Sequence, residues 1–211
     1  MKHHLTDALL MAYSAGSLPE AFSLVVATHV SMCDDCRARL GAFDAVGGAL
    51  LGGDGAVDMA AGSLDAVLAR IGAAPERMVQ VAPAAGSLPA PLCDYAGPDL
   101  RAVKWRPIGM GVRQAVLPTS KEASVRLLYI PGGVAVPDHG HRGMELTLVL
   151  QGAFRDQTDR FGPGDIELAD EAMKHTPVAE AGEACICLSA TDAPLRFTAL
   201  VPRLVQGFFR I

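Results

Sequence analysis

Four side chains near the N-terminus have the types and spacing of a metal site. His29, Cys33 and Cys36 form an H-x3-C-x2-C pattern. A spacing of four places His29 and Cys33 on one helical face, and the C-x2-C turn lets both sulfurs converge on one point. His4 supplies a fourth ligand if the first helix packs antiparallel to the second. Closed coordination by two nitrogens and two sulfurs is typical of structural zinc, the alternative being buried thiols with a surface histidine.

A second group of possible ligands lies in the C-terminal half. Residues 133–152 match G-x5-H-x-H-x3-E-x6-G, in which His139 and His141 face the same side of a strand and Glu145 follows across a turn or on the next strand. The pattern resembles the first motif of the cupin family, which implies a β-barrel. His175, the one histidine further along the sequence, is expected to complete the site. Three imidazoles and a carboxylate suit Zn, Fe, Mn, Ni or Cu, and the alternative is a set of hydrogen-bonded core histidines.

Cys185 and Cys187 form a C-x-C pair on a predicted strand, so both face one side of it. If they face the barrel interior, they lie near the metal and could respond to oxidants. The alternative, which we favour, is that they are buried and behave as small hydrophobic residues.

Helices must position the first site. Thr6 and Asp7 are predicted to cap a first helix, and Ser17 with Glu20 forms a capping box that opens a second helix running to about residue 32. A third helix is predicted from about residue 34 to 51, where two glycines end it.

A fourth helix is predicted to follow Ser63. Its apolar residues recur at helical spacing on one face, namely Leu64, Val67, Leu68 and Ile71. Such a stripe either docks into a partner's groove or packs on the other three helices, and the sequence leaves both possibilities open.

The chain changes character after the helices. Residues 81–92 are rich in Ala, Pro, Gly and Ser, which predicts an extended, loosely ordered linker. Short β-branched runs then follow at 123–130, 145–151 and 184–189, separated by Gly and Pro. The predicted organisation is a small all-α domain of about four helices at 1–80 and an all-β barrel of the jelly-roll type at 93–211.

Composition narrows the function classes. The net charge is −5, with 18 Lys and Arg against 23 Asp and Glu, and the basic residues are not clustered as direct DNA binding requires. No apolar run approaches the ~18–20 residues of a membrane span, and the N-terminus has no signal core, so a cytoplasmic protein is expected. Five cysteines in that compartment favour metal binding over disulfides.

Both halves together resemble a known family. His4, His29, Cys33 and Cys36 resemble the motif of zinc anti-sigma domains over residues 1–80. With the cupin half, nearly the whole chain is similar to ChrR-type zinc anti-sigma factors, including residues 92–97 and 205–211. The resemblance implies that the helical domain binds and occludes a sigma factor of the extracytoplasmic-function type. It implies further that zinc occupies both sites and that the cupin ends inhibition under oxidative stress such as singlet oxygen.

Two other functions remain open at this level. A cupin with this ligand set could be a metalloenzyme, a dioxygenase or isomerase with a helical appendage, since the fold supports many chemistries. Against an enzyme, the sequence shows no second acid–base set near the barrel motif. A metal sensor is the third possibility, although a closed Cys2His2 site holds zinc too firmly to report its concentration.

Overall fold

A computed structural model of the chain describes residues 1–53, 55, 57–73, 88–140, 142–194 and 196–197. These residues form five helices followed by an antiparallel β-barrel, which confirms the predicted fold class. The helices are α1 (Asp7–Ser14), α2 (Glu20–Met32), α3 (Asp34–Gly53), α4 (Ser63–Ala73) and α5 (Ala90–Ala96). The first four match the sequence prediction, whereas α5 was not predicted. Within the described part of the chain, no helix has both the length and the apolar character needed to cross a membrane.

The predicted N-terminal cap is present in α1 but not in α2. Thr6 caps α1 as expected, because its hydroxyl oxygen accepts a hydrogen bond from the Leu9 amide at 3.3 Å. The capping box predicted for α2 is wrong. Pro19 occupies the cap position without a side-chain hydrogen bond, and the Ser17 hydroxyl donates backwards to the Ala12 carbonyl at 3.0 Å.

Glu20 has a different role from the predicted cap. Its carboxylate accepts hydrogen bonds from the Tyr95 hydroxyl at 2.8 Å and from the Ser120 amide at 2.6 Å. The tertiary structure therefore uses this side chain to join the start of α2 to α5 and to the barrel.

Twelve strands occur among the described residues. They are β1 (Arg106–Gly109), β2 (Val112–Leu117), β3 (Ser124–Ile130), β4 (His139–Gly140), β5 (Glu145–Gln151), β6 (Phe154–Arg155), β7 (Arg160–Phe161), β8 (Ile166–Ala169), β9 (Lys174–His175), β10 (Val178–Ala179), β11 (Cys185–Thr191) and β12 (Arg196–Phe197). The main sheet has the order β1-β2-β3-β11-β5-β8, and two small sheets have the orders β10-β6-β7 and β12-β4-β9. All strand pairs are antiparallel, as expected of a jelly roll.

The two faces of the main sheet are chemically different. Along β11, Leu188 and Ala190 belong to the apolar cluster that includes α1 and α2. Cys185 and Cys187 belong to a second cluster with Phe154 and other barrel residues. Because alternate residues of a strand face opposite sides, one face of the sheet packs on the helices and the other lines the barrel.

Helix α2 lies between the remaining helices and the sheet. It contacts α1, α3 and α5 as well as β3, β5 and β11. Its buried residues, including Phe22, Val25 and Val26, occupy several sides of the helix. A helix that is apolar around its circumference is typical of a core position. The helical part and the barrel therefore share one continuous apolar core.

This core corrects the linker prediction for the residues that the structure describes. Leu88 and Leu92 are buried, and α5 begins at Ala90, so residues 88–92 are packed against the rest of the molecule. Proline and alanine content predicts a loose segment, but the two leucines provide apolar area that is buried in the shared core. Residues 81–87 of the predicted linker lie outside the described residues.

Candidate metal centres

The four predicted N-terminal ligands come together in the structure. His4 precedes α1, His29 lies in the last turn of α2, and Cys33 separates α2 from α3. Cys36 follows in the first turn of α3. One ligand atom from each residue lies within 4.8 Å of every other. Zinc bonds of about 2.0–2.3 Å imply ligand separations of roughly 3.3–3.8 Å in a tetrahedron, so a small contraction would complete the site.

The contacts of His4 fit this arrangement. Its Nδ1 atom lies 3.3 Å from Sγ of Cys33 and 3.6 Å from Sγ of Cys36. Both thiols are buried. Burial raises the pKa of Cys36, so its thiolate needs a positive partner. A divalent metal supplies that charge, and Arg39 adds a cation whose Nη1 lies 3.9 Å from the same sulfur.

His29 provides the clearest sign that the site suits a metal. Its ring is fully buried, and Nδ1 donates a hydrogen bond to the carbonyl oxygen of Gly164 at 2.9 Å. Nε2 is buried and has no hydrogen-bond partner among the described residues. Burial lowers the pKa of His29 to about 4, with the charge of His4 acting in the same direction. A neutral imidazole with its Nε2 lone pair facing two sulfurs is the form that zinc binds.

In the barrel, the structure brings His139 and His175 together. They are directly opposite each other in the β4–β9 register, and their Nε2 atoms are 3.2 Å apart. Nδ1 of His139 lies 2.8 Å from the carbonyl oxygen of Pro137, so this nitrogen carries the proton. Both rings are buried, and both direct Nε2 to the same point.

Two acidic residues that the sequence analysis missed hold the His175 ring. Its Nδ1 lies 3.1 Å from Oδ2 of Asp156 and 3.2 Å from Oε1 of Glu167. Burial raises the pKa of Glu167. At Asp156 burial acts in the same direction, but hydrogen bonds from Thr158 and the Asp159 amide outweigh it and lower the pKa to about 2. Carboxylates in this position fix the orientation of a metal-binding histidine.

The sequence did contain a signal for one of these acids. Glu167 lies between Ile166 and Leu168 on β8, so the alternation of a strand predicts that its side chain faces the side opposite to both apolar neighbours. Asp156 lies in the turn between β6 and β7, and nothing in its local sequence indicates a contact with a histidine. These two carboxylates and His175 themselves form a group with ligand atoms within 4.8 Å of one another.

Glu145 begins β5, as predicted, and its Oε1 accepts hydrogen bonds from the hydroxyls of Ser189 at 2.7 Å and Thr147 at 3.1 Å. Burial lowers the pKa of His175, but the hydrogen bonds and charge of its carboxylate neighbours Glu167 and Asp156, together with the charge of Glu145, outweigh burial, so the pKa is raised. The charge of Glu145 therefore acts on His175. His141 lies outside the described residues, and its place in the site remains a prediction.

Cys185 and Cys187 face the barrel interior, with 3.4 Å between their sulfur atoms. The hydrogen bond with Cys185, together with burial, raises the pKa of Cys187 well above its ordinary value. Both thiols are also buried away from solvent, so this geometry favours the interpretation of the pair as small hydrophobic residues.

Comparison with known proteins agrees with this architecture. Residues 96–193 match the model of the ChrR cupin-like domain family. The chain is 63% identical over 211 residues to the anti-sigma-E factor ChrR of Cereibacter sphaeroides, covering 100% of this chain and 99% of that protein. It is also similar to the crystal structure of Rhodobacter sphaeroides SigE in complex with the anti-sigma ChrR, with a TM-score of 0.80 and 62% identity over 90% of this chain and 99% of that chain.

Proposed function

The chain belongs to the ChrR family of anti-sigma factors, and we propose on this basis that its helical part binds a sigma factor of the extracytoplasmic-function type and blocks its access to RNA polymerase. The relative of known structure was crystallised with its sigma factor, SigE, and the identity of 62% extends over nearly all of that chain. A sigma factor acts on RNA polymerase, so the complex would form in the cytoplasm.

An exposed apolar surface on the helical part carries this proposal. No residue of α4 is buried, and Leu64, Leu68 and Ile71 are 69%, 55% and 66% exposed. Of the two alternatives for this stripe, packing on the other helices is therefore wrong. The surface comprises nine exposed side chains between the middle of α3 and the end of α4: Val46, Leu50, Leu51, Val57, Met59, Leu64, Val67, Leu68 and Ile71. A segment that binds another protein would present exposed apolar side chains of this kind, which supports the proposal.

The N-terminal metal would act structurally in this function. His4, His29, Cys33 and Cys36 would hold zinc, which joins the segment before α1 to the α2–α3 corner. A bound structural zinc stabilises such a small helical unit and leaves no coordination position for a substrate. Metal at this site would thereby fix the helices from which the exposed apolar surface extends.

The barrel would sense the signal that ends inhibition. We assign a metal there, zinc or another divalent ion, to His139, His141, Glu145 and His175, and we propose that oxidative stress such as singlet oxygen acts at or near this site. Support comes from the convergence of His139 and His175. Because barrel residues and α2 share one core, a rearrangement of the barrel would change the contacts of α2. The chain is then a regulator rather than an enzyme.

Co-purification with a sigma factor of the stated type tests the proposal. Leu64→Asp with Leu68→Asp places two charges on the exposed apolar surface and should weaken the complex at least 100-fold, because each charge would be buried without a partner. Met110→Asp is the matched control, since Met110 is 71% exposed in the barrel half and its φ of 52° suits aspartate. If the wild type, the double variant and the Met110→Asp control all retained the sigma factor equally, the assignment of this surface would be refuted.

A further inference from the structure

The turn between β7 and β8 belongs to the barrel but contacts the N-terminal metal site. Its Gly164 carbonyl oxygen accepts the 2.9 Å hydrogen bond from Nδ1 of His29. This bond determines which imidazole nitrogen carries the proton, and it leaves Nε2 as the atom that can join Cys33 and Cys36 in binding a metal. The neutral tautomer that zinc requires is thus selected by a backbone group of the other half of the molecule.

The next residue of the turn fixes the chain just ahead of His4. The Asp165 carboxylate is buried, and its Oδ1 accepts hydrogen bonds from the amides of Lys2 at 2.6 Å and His3 at 3.0 Å. Its Oδ2 accepts a third bond from the Gly162 amide at 2.9 Å. The Ile166 amide then donates to the His3 carbonyl at 3.2 Å. Residue 3 is therefore held on both sides of its own Cα, which fixes the starting point of His4.

The backbone conformation of the turn explains the glycine at position 164. Its φ is +86°, a conformation that side chains other than glycine rarely adopt. A Cβ atom there would also collide with the Met1 side chain. Because the Met1 side chain is half exposed and can move, the backbone conformation is the stronger reason for glycine at this position.

We propose that Gly164 and Asp165 of the barrel are positioning residues for the N-terminal metal site, acting on His29 and on the segment that carries His4. This inference rests on the metal binding that the proposed function assigns to that site. Without these hydrogen bonds, the segment that leads to His4 is unrestrained, and ordering it costs affinity for the metal. Strand β8 also continues from this turn to Glu167, which contacts His175, so residues 164–167 contact both candidate metal centres.

Cobalt binding by the full-length protein tests the inference. Co²⁺ bound by cysteine shows a thiolate-to-metal charge-transfer absorption that a site with only nitrogen and oxygen ligands lacks, so the band reports the N-terminal site alone. Asp165→Ala should weaken Co²⁺ binding there about 10–100-fold in competition with a chelator, as expected for loss of outer hydrogen bonds around metal ligands. Asp165→Asn keeps the side-chain volume and should give a smaller loss, and it carries the test if the alanine variant does not fold.

Asp159→Asn is the matched control. Asp159 contacts the same N-terminal segment, but through the side chains of Lys2 and His3 rather than through their amides. This variant should bind Co²⁺ like the wild type. Unchanged affinity in both Asp165 variants, or equal losses in Asp159→Asn, would overturn the positioning role alone. A wild-type protein without the charge-transfer band would overturn the N-terminal metal site as well.

Discussion

His175 and His139 face each other across β9 and β4, with 3.2 Å between their Nε2 atoms. The Nδ1 atom of each ring has a hydrogen-bond acceptor of its own: the carboxylates of Asp156 and Glu167 for His175, and the Pro137 carbonyl for His139. Two Nε2 lone pairs at this distance repel unless a proton or a cation lies between them. The geometry therefore suits an ion shared by the two rings, and residues that hold the rings should control its affinity.

Removal of the Glu167 carboxylate should weaken metal binding in the barrel. Glu167→Met keeps the volume but removes an acceptor of the His175 Nδ1 proton, and a loss of about 10–100-fold in metal affinity is expected. The metal content of the protein after dialysis against increasing concentrations of a chelator measures this affinity. Glu171→Met is the control, because Glu171 is exposed in the turn between β8 and β9. If both variants kept their metal equally, Glu167 would have no role in orienting His175.

Loss of the N-terminal thiolates should abolish sigma binding, whereas loss of a barrel ligand should not. Cys33→Ser with Cys36→Ser removes two ligands of a site whose zinc contributes on the order of 10 kcal/mol, so the helices that present the exposed apolar surface should lose their arrangement. His141→Ala should leave the sigma complex intact. Metal analysis with co-purification measures both effects. Release of the sigma factor by His141→Ala in the absence of oxidant would contradict the proposed division of labour.

Truncation of Leu92 should destabilise the whole protein. Leu92 is fully buried in the core shared by the helices and the barrel, so Leu92→Ala should lower the free energy of unfolding by about 2–5 kcal/mol. Leu51→Ala is the control, with an expected change within about 0.5 kcal/mol, since Leu51 is 76% exposed. Urea unfolding followed by both far-ultraviolet circular dichroism and Trp105 fluorescence should give one transition. Two separate transitions would show that the halves unfold independently.

The stability of the barrel should depend on pH through Glu180. Hydrogen bonds from Arg160 and then Arg155 lower the pKa of Glu180 to about 2, below its value in the unfolded chain. Ionised Glu180 therefore stabilises the folded state above about pH 4, and this contribution disappears as the pH falls towards 2. The difference in urea midpoint between the wild type and Glu180→Gln should shrink from pH 6 to pH 3. A difference that stayed constant would exclude the ion pairs as its cause.

Features encoded by local spacing were predictable from the sequence. The four-residue spacing from His29 to Cys33 already brings two ligands to one helical face, and α2 and α3 end within two residues of their predicted limits. Glu145 was expected across a turn or on the next strand, and it begins β5. The choice of His175 rested only on its being the one histidine further along the sequence, and no strand was predicted there.

Features formed by distant segments were not predictable from the sequence. Gly164 and His29 are 135 positions apart, and Asp165 and Lys2 are 163 apart. No periodicity connects residues so far apart, and only the docking of α2 on the sheet creates these contacts. The failed capping box has the same origin, since Glu20 bonds to Tyr95 and Ser120 rather than to its own helix. Local propensity is weaker than such tertiary contacts.

The burial of α2 against the sheet bears on how inhibition could be relieved by proteolysis. A protease that cut a single peptide bond within residues 74–87 would sever the covalent connection but not the apolar contacts of Phe22, Val25 and Val26. The two fragments would stay associated and would migrate together in gel filtration. Degradation could then free a sigma factor only by unfolding the helices themselves, so the rate of release would follow the stability of α2 rather than the accessibility of the cleavage site.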